Sequence, residues 1–208
     1  MRVTAEVTPP VGPAPPAAPQ SQAMDPFDRM LLSTDGTVTT LLEACTGEPV
    51  ATRTTRQAGP ATLDLLLAAT GRWWHPDAGL LELASAEHLI ARRSILTGAR
   101  SGVPYMLAES LVVPGRLPGA YAERLTRAGA SLGRLLLADA LEARREVLQI
   151  VAVRAGAASD ALGVASSATL ARRTYRIVIR GRAGAAVTEW LPTGRLATTA
   201  RGHSEVSA

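Results

Sequence analysis

The sequence predicts an α+β fold, a single antiparallel β-sheet with helices packed to one side. Three observations carry this. Strand-like alternating runs outnumber helical patterns, and most are joined by turn signals, with no βαβ alternation. Hydrophobic residues make up 47% of the chain and aromatics only 3%, so the core is aliphatic. At 208 residues the chain is long enough for one domain with a sizeable core.

The chain divides into a leader at 1–23, a domain at 24–192 and a flexible tail at 193–208. The leader holds Pro9, Pro10, Pro13, Pro15, Pro16 and Pro19 among Ala and Gln, a composition that packs no core and reads as disordered. Asp25-Pro26 supplies an N-cap and a first-turn proline for a helix at 26–32, which stops at Asp35-Gly36. A second helix at 37–44 puts Val38, Leu41, Leu42 and Cys45 on one face. Residues 48–57 read as a strand ended by Gly59-Pro60, and 61–69 as a helix with Leu63, Leu66 and Leu67 inward. Trp73-Trp74 is either a pocket wall or plain core or flap packing, and His75-Pro76-Asp77 marks a loop.

Strands at 89–97 and 105–113 follow, joined by a turn at 98–102. The second places Glu109 among Tyr105, Leu107, Leu111 and Val113 on one face. Residues 114–118 close that strand, 119–128 form an amphipathic helix with Tyr121 and Leu125, and 132–137 are a short apolar segment. Residues 142–153 read as a strand and 155–168 as a long loop. A β-hairpin at 171–192 completes the domain, with Gly181 and Gly184 bracketing its turn. Its second arm alternates, so Val187, Glu189 and Leu191 share one face and Thr188 and Trp190 the other. A carboxylate on an apolar face needs a cation or a donor. Glu189 is therefore either a strand glutamate salt-bridged to an arginine or a carboxylate aimed into a pocket.

All 22 basic residues are Arg, scattered along the chain, and the net charge is +4. This gives nucleic-acid binding little support, so none is expected, and it fits an anionic small substrate equally well. Cys45 is the only cysteine, which excludes an internal disulfide and a multi-cysteine metal site, and its apolar run suits a buried structural thiol. His75, His88 and His203 show no metal-ligand spacing, so no metal is expected. Residues 1–23 lack the pattern of a signal peptide, and no apolar run approaches the ~18 residues of a membrane span. A cytoplasmic protein that uses no membrane is the expectation. Oligomeric state is not set by the sequence.

Three blocks in fixed order carry a family resemblance: IARRSILTG at 90–98, ASLGRLL at 130–136, and ARRTYR followed by VTEWLP in the last hairpin. Together they resemble the chorismate lyases, which cut chorismate into 4-hydroxybenzoate and pyruvate. MLLSTDGTVTTLLE at 30–43, AESLVVPGRLP at 108–118 and Tyr175-Arg176 are similar to the actinobacterial, 4-hydroxybenzoate-forming branch of that superfamily. The resemblance spans about 25–192 and implies a chorismate lyase-like fold with no cofactor.

By the same resemblance, Arg92, six residues before Gly98, binds a substrate carboxylate, and Glu189 of the Thr-Glu pair is catalytic. Leu132, before a Gly-Arg pair, lines the pocket with its backbone, and Val38 stands where the family has a flap Met. The adjacent Arg93 leaves the register of Arg92 open by one residue. Arg172, Arg173 and Arg176 either hold a second carboxylate or pair with Glu109 and Glu189. Two other outcomes stay open: a non-catalytic ligand-binding domain of the same fold, and a lyase variant giving a different aromatic acid.

Overall fold

The computed structural model describes residues 25–34, 37–71, 73–119, 121–127, 130–138 and 143–196. The leader, the Asp35-Gly36 turn and most of the tail lie outside the described residues. Two helices open the domain. In α1 (Pro26–Ser33) the Asp25 side chain accepts from the Phe27 N–H at 2.9 Å, the expected N-cap ahead of a first-turn proline. In α2 (Val38–Thr46) Val38 and Leu42 turn inward, Cys45 is half-buried, and Gly47 ends the helix at φ 66°.

β1 (Val50–Ala61) runs past Gly59-Pro60 instead of ending there. The strand lies at the sheet edge and shifts register between Ala58 and Ala61, and an edge bulge tolerates a proline that lacks a ladder donor. Gly59 is required at that bulge, since a Cβ would stand 2.2 Å from the Leu89 carbonyl oxygen. α3 (Leu63–Thr70) follows, burying Leu66 but leaving Leu67 exposed. β2 (Leu89–Gly98) and β3 (Pro104–Val112) form the central hairpin. Then come α4 (Tyr121–Thr126), α5 (Leu132–Ala138) and β4 (Ala143–Arg154).

The expected long loop at 155–168 holds a 3-10 turn (Gly156–Ala158) and α6 (Ser159–Leu162). Ala158 and Leu162 are four residues apart, and both pack against Leu107, Leu170 and Trp190. One turn is too short to show a helical period, which is why the sequence reads as loop. β5 (Thr169–Ile179) and β6 (Arg182–Pro192) pair through a two-residue turn, with Arg180 at φ 49° and Gly181 at φ 78°. Gly184 therefore lies inside β6, at a register shift, and not at the turn. A Cβ there would meet Ile179 Cδ1 at 2.9 Å.

The six strands form one antiparallel sheet in the order β1-β2-β3-β6-β5-β4. α1, α2, α4 and α5 pack on one face, against Leu96, Met106, Tyr175 and Val187 among others. The helices are not confined to that side: the other face carries α3, α6 and a 3-10 turn at Ala78–Leu81, with Trp74 buried among Leu66, Leu81, Leu89 and Leu111. Trp73 meets Trp74 edge-on at 5.6 Å beneath the Arg56 guanidinium, so the tryptophan pair is core and not a pocket wall. No described helix is long and apolar enough to cross a membrane.

Candidate active site

The strand period of two decides what the cavity contains. On β2, Arg92, Ser94 and Leu96 point under the helices, and on β3 Met106, Ala108 and Ser110 do the same. β5 contributes Tyr175 and Ile177, and β6 contributes Val187 and Glu189. Val38 at the start of α2 and Leu132 at the start of α5 form the roof. All four residues singled out in the sequence, Arg92, Glu189, Leu132 and Val38, thus line a single cavity.

The register between Arg92 and Arg93 is decided by the ladder. Arg92 lies opposite Gln57 on β1 and Ser110 on β3. It is buried, with Nε donating to Gln57 Oε1 at 3.0 Å and Nη2 to Thr54 Oγ1 at 2.7 Å and the Ala130 carbonyl at 2.9 Å. These neutral acceptors orient the fork, and among the described residues no carboxylate pairs with it. Burial lowers its pKa to about 10, which leaves it a cation at neutral pH. Arg93 points to the opposite face, where its Nε lies 3.2 Å from Glu109 Oε1.

Glu189 is held on both oxygens. Oε2 accepts from Arg173 Nε and Nη2 at 3.1 and 2.7 Å, and Oε1 from the Tyr175 hydroxyl at 2.8 Å. Arg173 Nη1 reaches the Leu31, Leu32 and Thr34 carbonyls at 2.9, 3.1 and 3.0 Å, so the end of α1 satisfies the nitrogen that Glu189 does not reach. Burial works to lower the Arg173 pKa, but Glu189 and Tyr175 more than offset it and the net shift is upward. Burial and then the Glu189 charge push the Tyr175 hydroxyl well above the usual tyrosine range, so it stays a protonated donor.

Arg92 and Glu189 stand two strands apart, through β3, and two residues apart along the ladder. At ~4.8 Å per strand and ~3.4 Å per residue, their Cα atoms are roughly 12 Å apart and both side chains point inward. That spacing lets two long side chains close on opposite ends of a six-membered ring.

The three arginines left open in β5 separate clearly. Arg173 pairs with Glu189. Arg176 pairs with Glu146 at 2.5 Å and Glu82 at 2.9 Å, and Arg172 donates to Gln149 at 3.2 Å. Neither meets Glu109, whose partners are Arg93 and His75, the latter through its backbone N–H at 2.8 Å. Burial raises the Glu109 pKa, and the residue lies on the far face of the sheet, outside the cavity. The cavity lining also includes polar side chains that the sequence does not single out as site residues, Tyr175, Ser110 and Arg145 among them. Tyr175 carries a signal of parity, two residues before the inward Ile177 on the same arm.

The sequence pattern of the family described as chorismate pyruvate-lyase Rv2949c-like matches residues 32–198. A chorismate pyruvate-lyase of Mycobacterium leprae (strain TN) is 29% identical over 122 residues, 59% of this chain and 52% of that protein. The aligned part thus spans about half the length of that relative. Among solved structures, the effector domain of PhnF from Mycobacterium smegmatis superposes with a TM-score of 0.56 at 15% identity, over 78% of this chain and 91% of that chain. PhnF itself, from the same organism, gives 0.55 at 15% identity, over 78% and 65%. Likeness at such identity shows the fold alone, an antiparallel sheet with helices.

Proposed function

The chain belongs to the chorismate pyruvate-lyase Rv2949c-like family, and from that premise we propose that it converts chorismate to 4-hydroxybenzoate and pyruvate in the cavity beneath α2 and α5. One observation carries the reading: Arg92, a buried cation with no carboxylate partner among the described residues, shares a cavity with Glu189 at a ring's span.

Chorismate is a dianion built on a cyclohexadiene ring, with an enolpyruvyl ether at C3 beside a free hydroxyl at C4. Elimination breaks the C3–O bond, removes the C4 hydrogen and gives a proton to the departing enolpyruvyl carbon, so the ring becomes aromatic. The change is downhill and asks for no metal or nucleotide. What it asks of the protein is a fixed substrate conformation and protection of shifting charge from water. The planar Arg92 fork suits the ring carboxylate, and neutral acceptors aim it without neutralising it. Glu189, anchored by Arg173 and Tyr175, is positioned to orient the C4 hydroxyl or relay a proton at the reacting carbons.

One solved structure of similar fold is the effector domain of PhnF, which makes binding without turnover the second reading. Incubating the purified protein with chorismate and separating the products by chromatography tests both. Equal amounts of 4-hydroxybenzoate and pyruvate support the proposal, another aromatic acid redirects it to a variant lyase, and intact chorismate overturns it.

A further inference from the structure

Chorismate carries two carboxylates, and Arg92 accounts for one. The second sits on the enolpyruvyl group, the part that leaves. Arg173 is committed to Glu189 and to three carbonyls of α1. Arg172 and Arg176 alternate to the other face of β5. One further arginine lines the cavity among the described residues, Arg145 on β4.

Its placement relative to the other two groups is informative. β4 lies two strands from β6 on the side opposite β2, so Arg145 and Arg92 flank the strand that carries Glu189. Arg145 stands opposite Ile177, which stands opposite Ala185, four residues along β6 from Glu189. Both arginines reach toward the entry of α5. Arg92 Nη2 donates to the Ala130 carbonyl at 2.9 Å, and Arg145 Nη2 lies 3.6 Å from where a Cβ on Gly133 would stand. The order across the cavity is cation, carboxylate, cation. In chorismate the order is ring carboxylate, reacting C3–C4 edge, enolpyruvyl carboxylate. The charge of Arg145 is also felt at the Tyr175 hydroxyl, which Glu189 accepts from.

We propose that Arg145 binds the enolpyruvyl carboxylate and so makes the cavity selective for a dicarboxylate over the monocarboxylate product. This rests on the lyase reading above and adds to it the residue that receives the leaving group. A clamp at each end holds the ether in one conformation over Glu189. Once the C3–O bond is cut, pyruvate stays with Arg145 and 4-hydroxybenzoate with Arg92, so the two products separate along the cavity.

The test uses the full chain with Arg145→Gln and Arg145→Lys, steady-state kinetics with chorismate, and calorimetric binding of 4-hydroxybenzoate. The expected result is a KM for chorismate raised roughly 10- to 100-fold in Arg145→Gln, the usual weight of a charge-assisted hydrogen bond. Its Kd for 4-hydroxybenzoate stays within about twofold, because that ligand lacks the second carboxylate, and Arg145→Lys recovers part of the KM. Arg92→Gln, in contrast, weakens both ligands. Folding is checked by melting temperature, and if Arg145→Gln does not fold, the same comparison is made with Arg145→Lys, expected to raise the KM severalfold with 4-hydroxybenzoate unmoved. An unchanged KM for chorismate in a folded variant, or a parallel loss of both ligands, overturns the assignment of Arg145. Failure of the unsubstituted protein to turn over chorismate overturns the lyase reading instead, a result visible before any variant is made.

Discussion

Arg173 donates from Nε and Nη2 to the same oxygen of Glu189, at 3.1 and 2.7 Å, while its Nη1 fastens to three carbonyls at the end of α1. Both side chains are buried, at 1% and 4% exposure. A buried pair is weak evidence for stability in general, because desolvation offsets the attraction. Here the carbonyls at the end of α1 take up Nη1, the nitrogen that Glu189 does not reach. Glu189 is thus both alternatives raised by the sequence, an ion-pair partner at Oε2 and a cavity-lining carboxylate.

That double role sets the expected outcome for Glu189→Gln. Shape is kept but Arg173 loses its counter-charge, so stability should fall by about 3–5 kcal/mol. Per folded molecule, kcat should drop roughly 10²-fold or more. Kinetics well below the melting temperature, normalised to the native signal in circular dichroism, separate the two effects. A normal kcat per folded molecule ends the catalytic role. Glu109→Gln, on the far face, should lose stability and keep kcat.

For Arg92 the carboxylate it meets is present in ground and transition states alike. Arg92→Ala should therefore raise KM, by roughly 10²-fold, with kcat nearly kept. Arg92→Lys should recover only part of this. An ammonium cannot reproduce the fork that Gln57, Thr54 and Ala130 aim. Steady-state kinetics decide it, and an unchanged KM in Arg92→Ala would remove the residue from the site.

Tyr175→Phe removes one donor and nothing else. Glu189 Oε1 then lacks the hydroxyl now 2.8 Å away, a loss of about 1–3 kcal/mol in stability for a buried acceptor. With its carboxylate free to turn, kcat should fall by roughly 10-fold while KM moves little. A kcat equal to that of the unsubstituted protein would show that Arg173 alone positions Glu189.

Acid stability should depend on Glu48, which is not among the cavity-lining residues. Its carboxylate accepts from the Ser101 hydroxyl at 2.6 Å, the Tyr105 hydroxyl at 2.8 Å, and the backbone N–H groups of Arg100 and Ser101, tying down the β2–β3 turn. Hydrogen bonding by Ser101 leads the causes that hold its pKa down at about 2, against roughly 4.3 in an unfolded chain. A depressed carboxylate stabilises the fold above the unfolded pKa, and that contribution is lost as pH falls from there through about 2. Melting temperature measured from pH 6 down to 2 should decline less steeply in Glu48→Gln, from a lower starting value. Parallel curves for the two proteins would contradict this.

The alternation of β6 placed Glu189 on the inward face directly from the sequence, because parity needs only neighbours in the same strand. Arg92 could not be told from Arg93 that way, since a one-residue slip exchanges them and only pairing with β1 and β3 decides. Arg173 stood among three arginines within five positions, and its selection depends on α1 arriving from 140 positions earlier in the chain (Leu31 and Leu32 are 142 and 141 away). Arg145 was hidden by the charged edge strand around it, where Arg144 and Glu146 point outward and mask the inward arginine. Gly184 read as a turn because a glycine before an alternating arm looks the same whether it bends the chain or sits in a bulge.

Arg92 and Glu189 both hang from strands that pair with β3, so the distance between them is counted on a hydrogen-bond ladder and not set by any loop. Such a ruler has coarse graduations. A shift of one residue turns either group to the wrong face, and a shift of two moves it by ~6.8 Å, longer than a benzene ring is wide. The sheet therefore cannot be tuned by small increments to a slightly longer or shorter substrate. Gradual adjustment has to come from the roof, where Val38 and Leu132 change in size without disturbing a register. Divergence among chains sharing this ladder should concentrate at those two helix starts, with the floor conserved as a fixed scale.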